Sequence, residues 1–308
     1  MLLTGATGLI GGPVRAELEA RGHTVRALTR RPDRLAERAT FDPVGWDGQT
    51  APAPALTGTT SVVHLSGEPI FGGLATAARK ERIHASRIQS TRSLVEAIRA
   101  TPERERPRVF VCASAVGYYG DRGEETLEES AAPGSGFLAD LCALWEEEAR
   151  RAEALGVRVV SLRFGVVLSK RGGALSALAP LFRLGLGGRV GHGRQWFPWI
   201  HLEDAAGLVL RALEDEGWAG AFNAVAPGAV RNAEFTRILA QGVRRPAWIP
   251  VPAFALRAAL GDLAGELLGS RHVIPARAAT SYAFTHPTLA RALQTELERS
   301  SRRKALAE

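Results

Sequence analysis

Three glycines at Gly5, Gly8 and Gly11 open this chain, in the run Thr4-Gly5-Ala6-Thr7-Gly8-Leu9-Ile10-Gly11. A short apolar run precedes them, and a pattern with Ile10, Val14 and Leu18 at helical spacing follows. Strand, glycine turn and helix in that order form a phosphate cradle. Gly5 permits the tight turn off the strand, Gly8 lets backbone approach a pyrophosphate, and Gly11 lets the helix pack close to the sheet. The amide end of the helix adds N–H donors and a partial positive charge. Met1 to Leu3 is short for a strand, and one or two further residues are expected to complete it.

Beyond this motif the chain alternates strands and helices. The helix from Leu9 is expected to end at Arg21, before Gly22, with the next strand at Thr24 to Thr29. A short helix should begin at Arg31-Pro32 and run toward Arg38. A short strand is placed near Val44-Trp46. Ser61 to Leu65, Val109 to Ala113 and Val157 to Leu162 read as buried strands, and Ala77 to Ala100 and Phe137 to Leu155 as helices. This alternation implies βαβ units in a parallel sheet with right-handed crossovers. From about residue 166 the regularity breaks at Gly172-Gly173, at Gly185 to Gly193 and at Pro-bounded segments, and one strand near Ala221-Val225 returns to the sheet. The expected architecture is α/β: a Rossmann-type doubly wound parallel sheet with a smaller, irregular C-terminal substrate lobe. Residues 1–165, with a returning segment about 203–225, form the first domain, and 166–202 with 226–308 form the lobe.

Composition narrows the partners. Of 39 basic residues only Lys80, Lys170 and Lys304 are lysines, and the arginines are spread along the chain, so the net charge of +7 reads as compositional bias and no nucleic-acid partner is expected. Arg302, Arg303 and Lys304 form the densest cluster, read as a solvated end. No apolar stretch approaches the ~20 residues that span a bilayer, and no signal-type segment opens the chain, so a cytoplasmic protein without a membrane partner is expected. Cys112 and Cys142 have no metal-ligand spacing and read as buried thiols; no metal site is expected.

Cofactor choice is made at the end of the second strand, Leu28-Thr29-Arg30-Arg31. An NAD site wants an acid there to accept from the ribose 2′-hydroxyl. Arginines stand there instead, and a guanidinium can bond a 2′-phosphate bidentately. NADP(H) is therefore the expected cofactor.

The segments TGATGLIG, LTR, HLSGEPI, SAVGYYGD, LRFGVVLS and FPWIHLEDAA resemble extended or atypical short-chain dehydrogenase/reductases over nearly the whole chain. The match is closest to the epimerase-like subgroup with an additional C-terminal domain of unknown function, through Gly191 to His201 and Val273-Ile274-Pro275. This resemblance implies that Gly5, Thr7, Gly8, Leu9, Ile10 and Gly11 line the pyrophosphate and that Thr29 and Arg30 face the adenosine 2′ position. It further implies that Leu65, Ser66 and Gly67 flank the ribose or nicotinamide side, and that Arg87 and Arg163 lie at cofactor positions. Extended members often dimerise, so a homodimer is an open expectation.

The catalytic pattern of that superfamily is incomplete. No tyrosine is followed four residues later by lysine; Phe137 and Leu141 take those places. Ser114 stands where the family serine would be, and Tyr118 is the candidate proton donor. Glu68, Asp140 and His201 are further candidates, with His201 read first as ordering the loop before Glu203-Asp204. Trp196 to Trp199 form either an aromatic wall or a packing staple. Arg189, His192 and Arg194 either hold an anionic substrate group or form a solvated loop. Two functions follow: an NADP(H)-dependent oxidoreductase or sugar-nucleotide-epimerase-like enzyme with a small-molecule substrate, or a non-catalytic NADP(H)-binding sensor or docking module.

Overall fold

Runs such as Leu2-Leu3 and Ser61-Val62-Val63 have no polar face, so a strand built from them must be covered on both sides. The computed structural model describes residues 1–33, 40–71, 73 and 76–305, apart from the side chains of 53 and 299–305. Its principal elements are β1 (Leu2–Thr4), α1 (Gly11–Ala20), β2 (Arg26–Thr29), β3 (Asp42–Gly45), β4 (Ser61–His64), α2 (Ala77–Ala100), β5 (Val109–Ala115), α3 (Phe137–Arg150), β6 (Arg158–Phe164), α4 (Leu202–Glu214) and β7 (Gly220–Ala224). The strands form one seven-stranded parallel sheet in the order β7-β6-β5-β4-β1-β2-β3. Leu2 pairs with Arg26 on one side and Val62 on the other, and Val63 pairs with Val111. Leu2, Leu3, Val62, Val63, Phe110 and Val111 are fully buried. The order reverses beside β1, and ligands of open α/β sheets bind outside the strand ends at such a point.

Local chemistry sets the element ends. Gly8 N–H donates to Gly5 O (2.8 Å) and Gly12 N–H to Gly8 O (3.0 Å), so a turn occupies the residues before Gly11 and α1 starts two residues later than the apolar spacing suggests. Helix α2 has the expected bounds; the Thr76 hydroxyl accepts from Arg79 N–H at 3.2 Å, a cap worth about 1 kcal/mol. Helix α3 stops at Arg150, before a 3-10 turn at Glu153–Leu155 that Gly156 closes with φ +79°. Strand β5 continues through Ser114 to Ala115, and β6 to Phe164. The short helix expected toward Arg38 lies outside the described residues, as do the side chains of Arg302, Arg303 and Lys304.

The chain divides into two compact units. The first holds residues 1–115, 140–163 and 206–222, the second 116–139, 164–205 and 223–308. Residues 116–139, expected with the first domain, group with the second unit. After β5 the chain leaves the sheet, and Val116, Tyr119 and Leu127 pack with Val225 and Val273. The Tyr119 hydroxyl, inside that cluster, donates to Asn223 Oδ1 at 2.6 Å. A larger core of the second unit joins Leu168, Leu175, Phe182, Trp199, Phe235, Leu239 and Leu293. Cys112 and Cys142 are buried and unbridged, and burial pushes the Cys112 thiol up. Among the described residues no helix is long and apolar enough to cross a membrane.

Candidate functional site: a cavity at the strand ends

Within the first unit, the ends of β1, β2, β3 and β4 surround a cavity of about 830 Å³. Its wall includes Gly5, Thr7 and Gly8 after β1, Thr29 at the end of β2 with Arg30 and Arg31 after it, and Leu65, Ser66 and Gly67 after β4. Gly5 has φ +71°, and a Cβ there would lie 2.9 Å from the Leu65 carbonyl carbon. A Cβ on Gly11 would meet Gly5 O at 2.1 Å. Only hydrogen at these positions lets the turn close against β4 and α1. Helix α1 has no side-chain cap and no acidic residue in its first turn. Its amide end therefore keeps its positive character, the condition for holding a diphosphate. Leu9, Ile10 and Gly11 are not part of the wall; they complete the turn behind it.

No carboxylate stands at the end of β2. Two acids stand on the wall: Glu68, after β4, and Asp47, on the segment after β3; Asp47 accepts from Gln49 N–H (2.8 Å) and Thr50 N–H (3.3 Å), which hold its carboxyl below the ordinary range. The sequence did not single out Asp47, because it sits in a Pro/Gly/Thr-rich stretch without periodicity. Arg82, Ser86 and Gln89 also line the cavity and were missed. Their spacing on α2 places them on one helical face, a signal that was available.

The rim is tied from below by His64. Thr4 Oγ1 accepts from the Leu65 and Ser66 amides (3.2 Å each) and lies 2.7 Å from His64 Nδ1, and His64 Nε2 lies 3.1 Å from Ser90 Oγ. Ser90 in turn donates to Ser86 O at 2.7 Å. The network assigns the proton to Nε2, with the Thr4 hydroxyl donating to Nδ1. Burial, aided by Arg87, drives the His64 pKa down to about 3, so the ring is neutral. Arg87 itself does not line the cavity: its guanidinium lies beneath Gly67 and donates to Glu68 O (3.0 Å) and Ile83 O (3.2 Å). It holds the Gly67-Glu68 loop.

Ser114 and Arg163, also outside that wall, meet elsewhere in the first unit. Ser114 Oγ donates to Glu146 Oε1 at 2.7 Å, and Arg163 reaches both oxygens of Glu146 at 2.8 Å. Glu146 lies on α3, the helix that carries Phe137 and Leu141, where the resemblance led one to expect a tyrosine and a lysine. The sequence showed Glu146 only as one of three successive glutamates.

In the second unit, Tyr118 is half-buried and packs edge-on against Tyr119 at 5.3 Å. Trp196 is stacked on His272 (4.0 Å), covered by Arg231 and bonded to Glu124; Phe197 packs on Phe235; Trp199 is buried and donates to Gly228 O. These aromatics thus pack inside their own unit. His201 accepts from Glu203 N–H and faces Glu296 Oε1 at 3.1 Å, so both ring nitrogens are engaged. His201, Glu203 and His286 bring ligand-type atoms within 4.8 Å of one another, with His286 Nε2 already 3.0 Å from Glu203 Oε2.

A parallel sheet of this order, with a glycine turn and a cavity at its reversal point, defines a Rossmann fold of the dinucleotide-binding type. The chain belongs to the NAD dependent epimerase/dehydratase family, whose model matches residues 1–224; residues 251–296 match a domain of unknown function, DUF1731. It is 39% identical over 279 residues to the chloroplastic epimerase family protein SDR39U1 homolog of Arabidopsis thaliana, covering 90% of this chain and 80% of that one. It is 37% identical to the epimerase family protein YfhF of Bacillus subtilis, covering 94% and 95%. Among solved structures, the human epimerase family protein SDR39U1 with NADPH superimposes with a TM-score of 0.85 at 34% identity, covering 96% of this chain and 98% of that one.

Proposed function

We propose that the first unit binds NADP(H) and that the protein is an NADP(H)-dependent oxidoreductase or epimerase-like enzyme acting on a small-molecule substrate. The observation that carries the cofactor choice is the pair Arg30 and Arg31 on the cavity wall at the end of β2, with no carboxylate there. A 2′-phosphate brings two negative charges that arginine accepts and an acid would repel. The human relative solved with NADPH supports the same choice. The amides of the Gly5–Gly8 turn and the start of α1 would hold the diphosphate, Thr29 and Arg30 the 2′-phosphate, and Leu65, Ser66 and Gly67 would flank the remainder. When bound, the cofactor supplies a hydride donor or acceptor. Tyr118 is the group we assign as proton donor.

A second reading, a non-catalytic NADP(H) sensor, is favoured by one observation: α3 offers Phe137 and Leu141 where a proton relay is expected, and the Ser114 hydroxyl is committed to Glu146. Titration of protein fluorescence with NADPH and NADH tests the cofactor claim; tighter NADH binding defeats it. Oxidation of NADPH across a panel of carbonyl and sugar-nucleotide substrates, lost in Tyr118→Phe, supports the enzyme. No turnover, together with an NADPH-dependent change of oligomeric state, supports the sensor.

A further inference from the structure

The second unit exposes an apolar surface that nothing in the nucleotide site uses. Trp248 is 85% exposed, Phe254 75% and Leu184 73%, and Leu181, Leu186 and Ile249 are also open to solvent. Single exposed apolar residues are ordinary; a cluster of large ones is informative. These six come from two short stretches, 181–186 and 248–254. The backbone that adjoins them is paired: Val251 N–H donates to Arg189 O and Gly191 N–H to Val251 O, each at 2.9 Å, and the Gly188 Cα lies against Ile249 O. The helix Ala253–Leu260, sequence AFALRAAL, has no buried residue at all. An apolar helix with no fully buried residue lacks much of the packing that normally stabilises such a segment.

The same surface is basic. Arg183, Arg189, Arg244, Arg245 and Arg257 fall within 181–191 and 244–257, and those stretches hold no acidic residue. Arg189, Arg237, Arg244 and Arg245 line a cavity of about 600 Å³ together with Trp248 and Pro250. Of these four guanidiniums, only Arg237 has a partner among the described residues: Gln241 at 3.2 Å and Glu234 at 3.9 Å. Arg244 is the one non-glycine among the described residues with positive φ, +54°, and this left-handed turn starts the run toward Trp248.

We propose that this face of the second unit docks on an anionic lipid bilayer, with the arginines at the headgroup phosphates and Trp248, Ile249, Phe254, Leu184 and Leu186 entering the interface. Aromatic and aliphatic tips ringed by arginine match interfacial binding in both parts: buried apolar area and attraction to anionic lipid. A second copy fits less well, because a two-fold contact sets the same patch against itself and would oppose arginine to arginine. No membrane partner was expected from the sequence, since no segment spans a bilayer; peripheral docking needs none.

The test is co-sedimentation of the full chain with phosphatidylcholine vesicles, with and without phosphatidylglycerol, at low and high salt. We expect binding that needs the anionic lipid and fades with salt, and a loss on the order of fivefold for each arginine removed in Arg244→Gln and Arg245→Gln. Trp248→Ser with Phe254→Ser should abolish binding while circular dichroism is unchanged, because both residues are exposed. The proposal is overturned by no binding at low salt, by undiminished binding of the double variant, or by a wild-type dimer in light scattering that the double variant dissolves.

Discussion

Ser114 donates its hydroxyl proton to Glu146 across 2.7 Å, and Arg163 grips both oxygens of that same carboxylate. All three are almost wholly buried. A bidentate guanidinium is the arrangement that makes a buried carboxylate tolerable, and breaking such a pair on one side leaves the other charge unpaired. Removal of Glu146 in Glu146→Ala should therefore cost about 3–5 kcal/mol of stability. Ser114→Ala removes one hydrogen bond and should cost on the order of 1–2 kcal/mol. Urea unfolding compares the two; a Glu146→Ala loss no larger than that of Ser114→Ala would show that the pair does not hold α3 to β6.

Arg30 sets the expected cofactor preference. A hydrogen bond to a charged group is worth about 1.5–3 kcal/mol, so Arg30→Ala should weaken NADPH by roughly 10- to 100-fold and leave NADH within about threefold. Arg30→Asp should go further and invert the preference, since the new carboxylate repels the 2′-phosphate and can accept from a 2′-hydroxyl. Dissociation constants from fluorescence quenching decide this. Parallel weakening of both cofactors would place Arg30 away from the 2′ position.

The glycine turn offers a paired comparison. A Cβ on Gly11 would sit 2.1 Å from Gly5 O, whereas one on Gly12 meets nothing within 4 Å. Gly11→Ala should cost about 1–3 kcal/mol as an overpacked site and should abolish NADPH binding by displacing the turn. Gly12→Ala, inside α1, should be neutral or should stabilise by up to about 1 kcal/mol. Thermal unfolding with and without NADPH separates them, and equal behaviour of the two alanines would refute the steric account.

How much of this was legible depended on the kind of signal. Gly5, Gly8 and Gly11 were readable because backbone sterics make glycine obligatory at fixed spacing, and Ala77–Ala100 because its periodicity runs for many turns. Glu146 was not readable: its meaning lies in Ser114 and Arg163, remote in sequence and joined only when β5, α3 and β6 assemble. Arg87 was placed at the cofactor, yet its guanidinium went under Gly67, a choice made by burial against Trp145 (5.2 Å) that no local pattern encodes. The grouping of residues 116–139 with the second unit was hidden for a similar reason. Chain continuity after β5 suggested one domain, while the partners of Tyr119 arrive from Val225 and Val273 much later in the chain.

His64 makes the last prediction, one of pH. Burial lowers its pKa from 6.5 to about 3 in the native protein. An unfolded chain takes up that proton near its ordinary value, so between pH 6.5 and about 3 the unfolded state binds a proton that the native state refuses. The neutral ring's contribution is full above pH 6.5 and is lost as pH falls, by about 1.4 kcal/mol per pH unit. His64→Asn keeps a polar group beside Thr4 but cannot titrate. It should be less stable at pH 8, where the bonds to Thr4 and Ser90 are broken or altered, and should lose less stability than the wild type between pH 6 and pH 4. Urea midpoints at pH 8, 6, 5 and 4 measure both slopes, the difference cancelling what other groups contribute. Parallel slopes would mean that His64 already takes up a proton in the folded state, which the hydrogen bonds of Thr4, Leu65 and Ser66 around it do not allow.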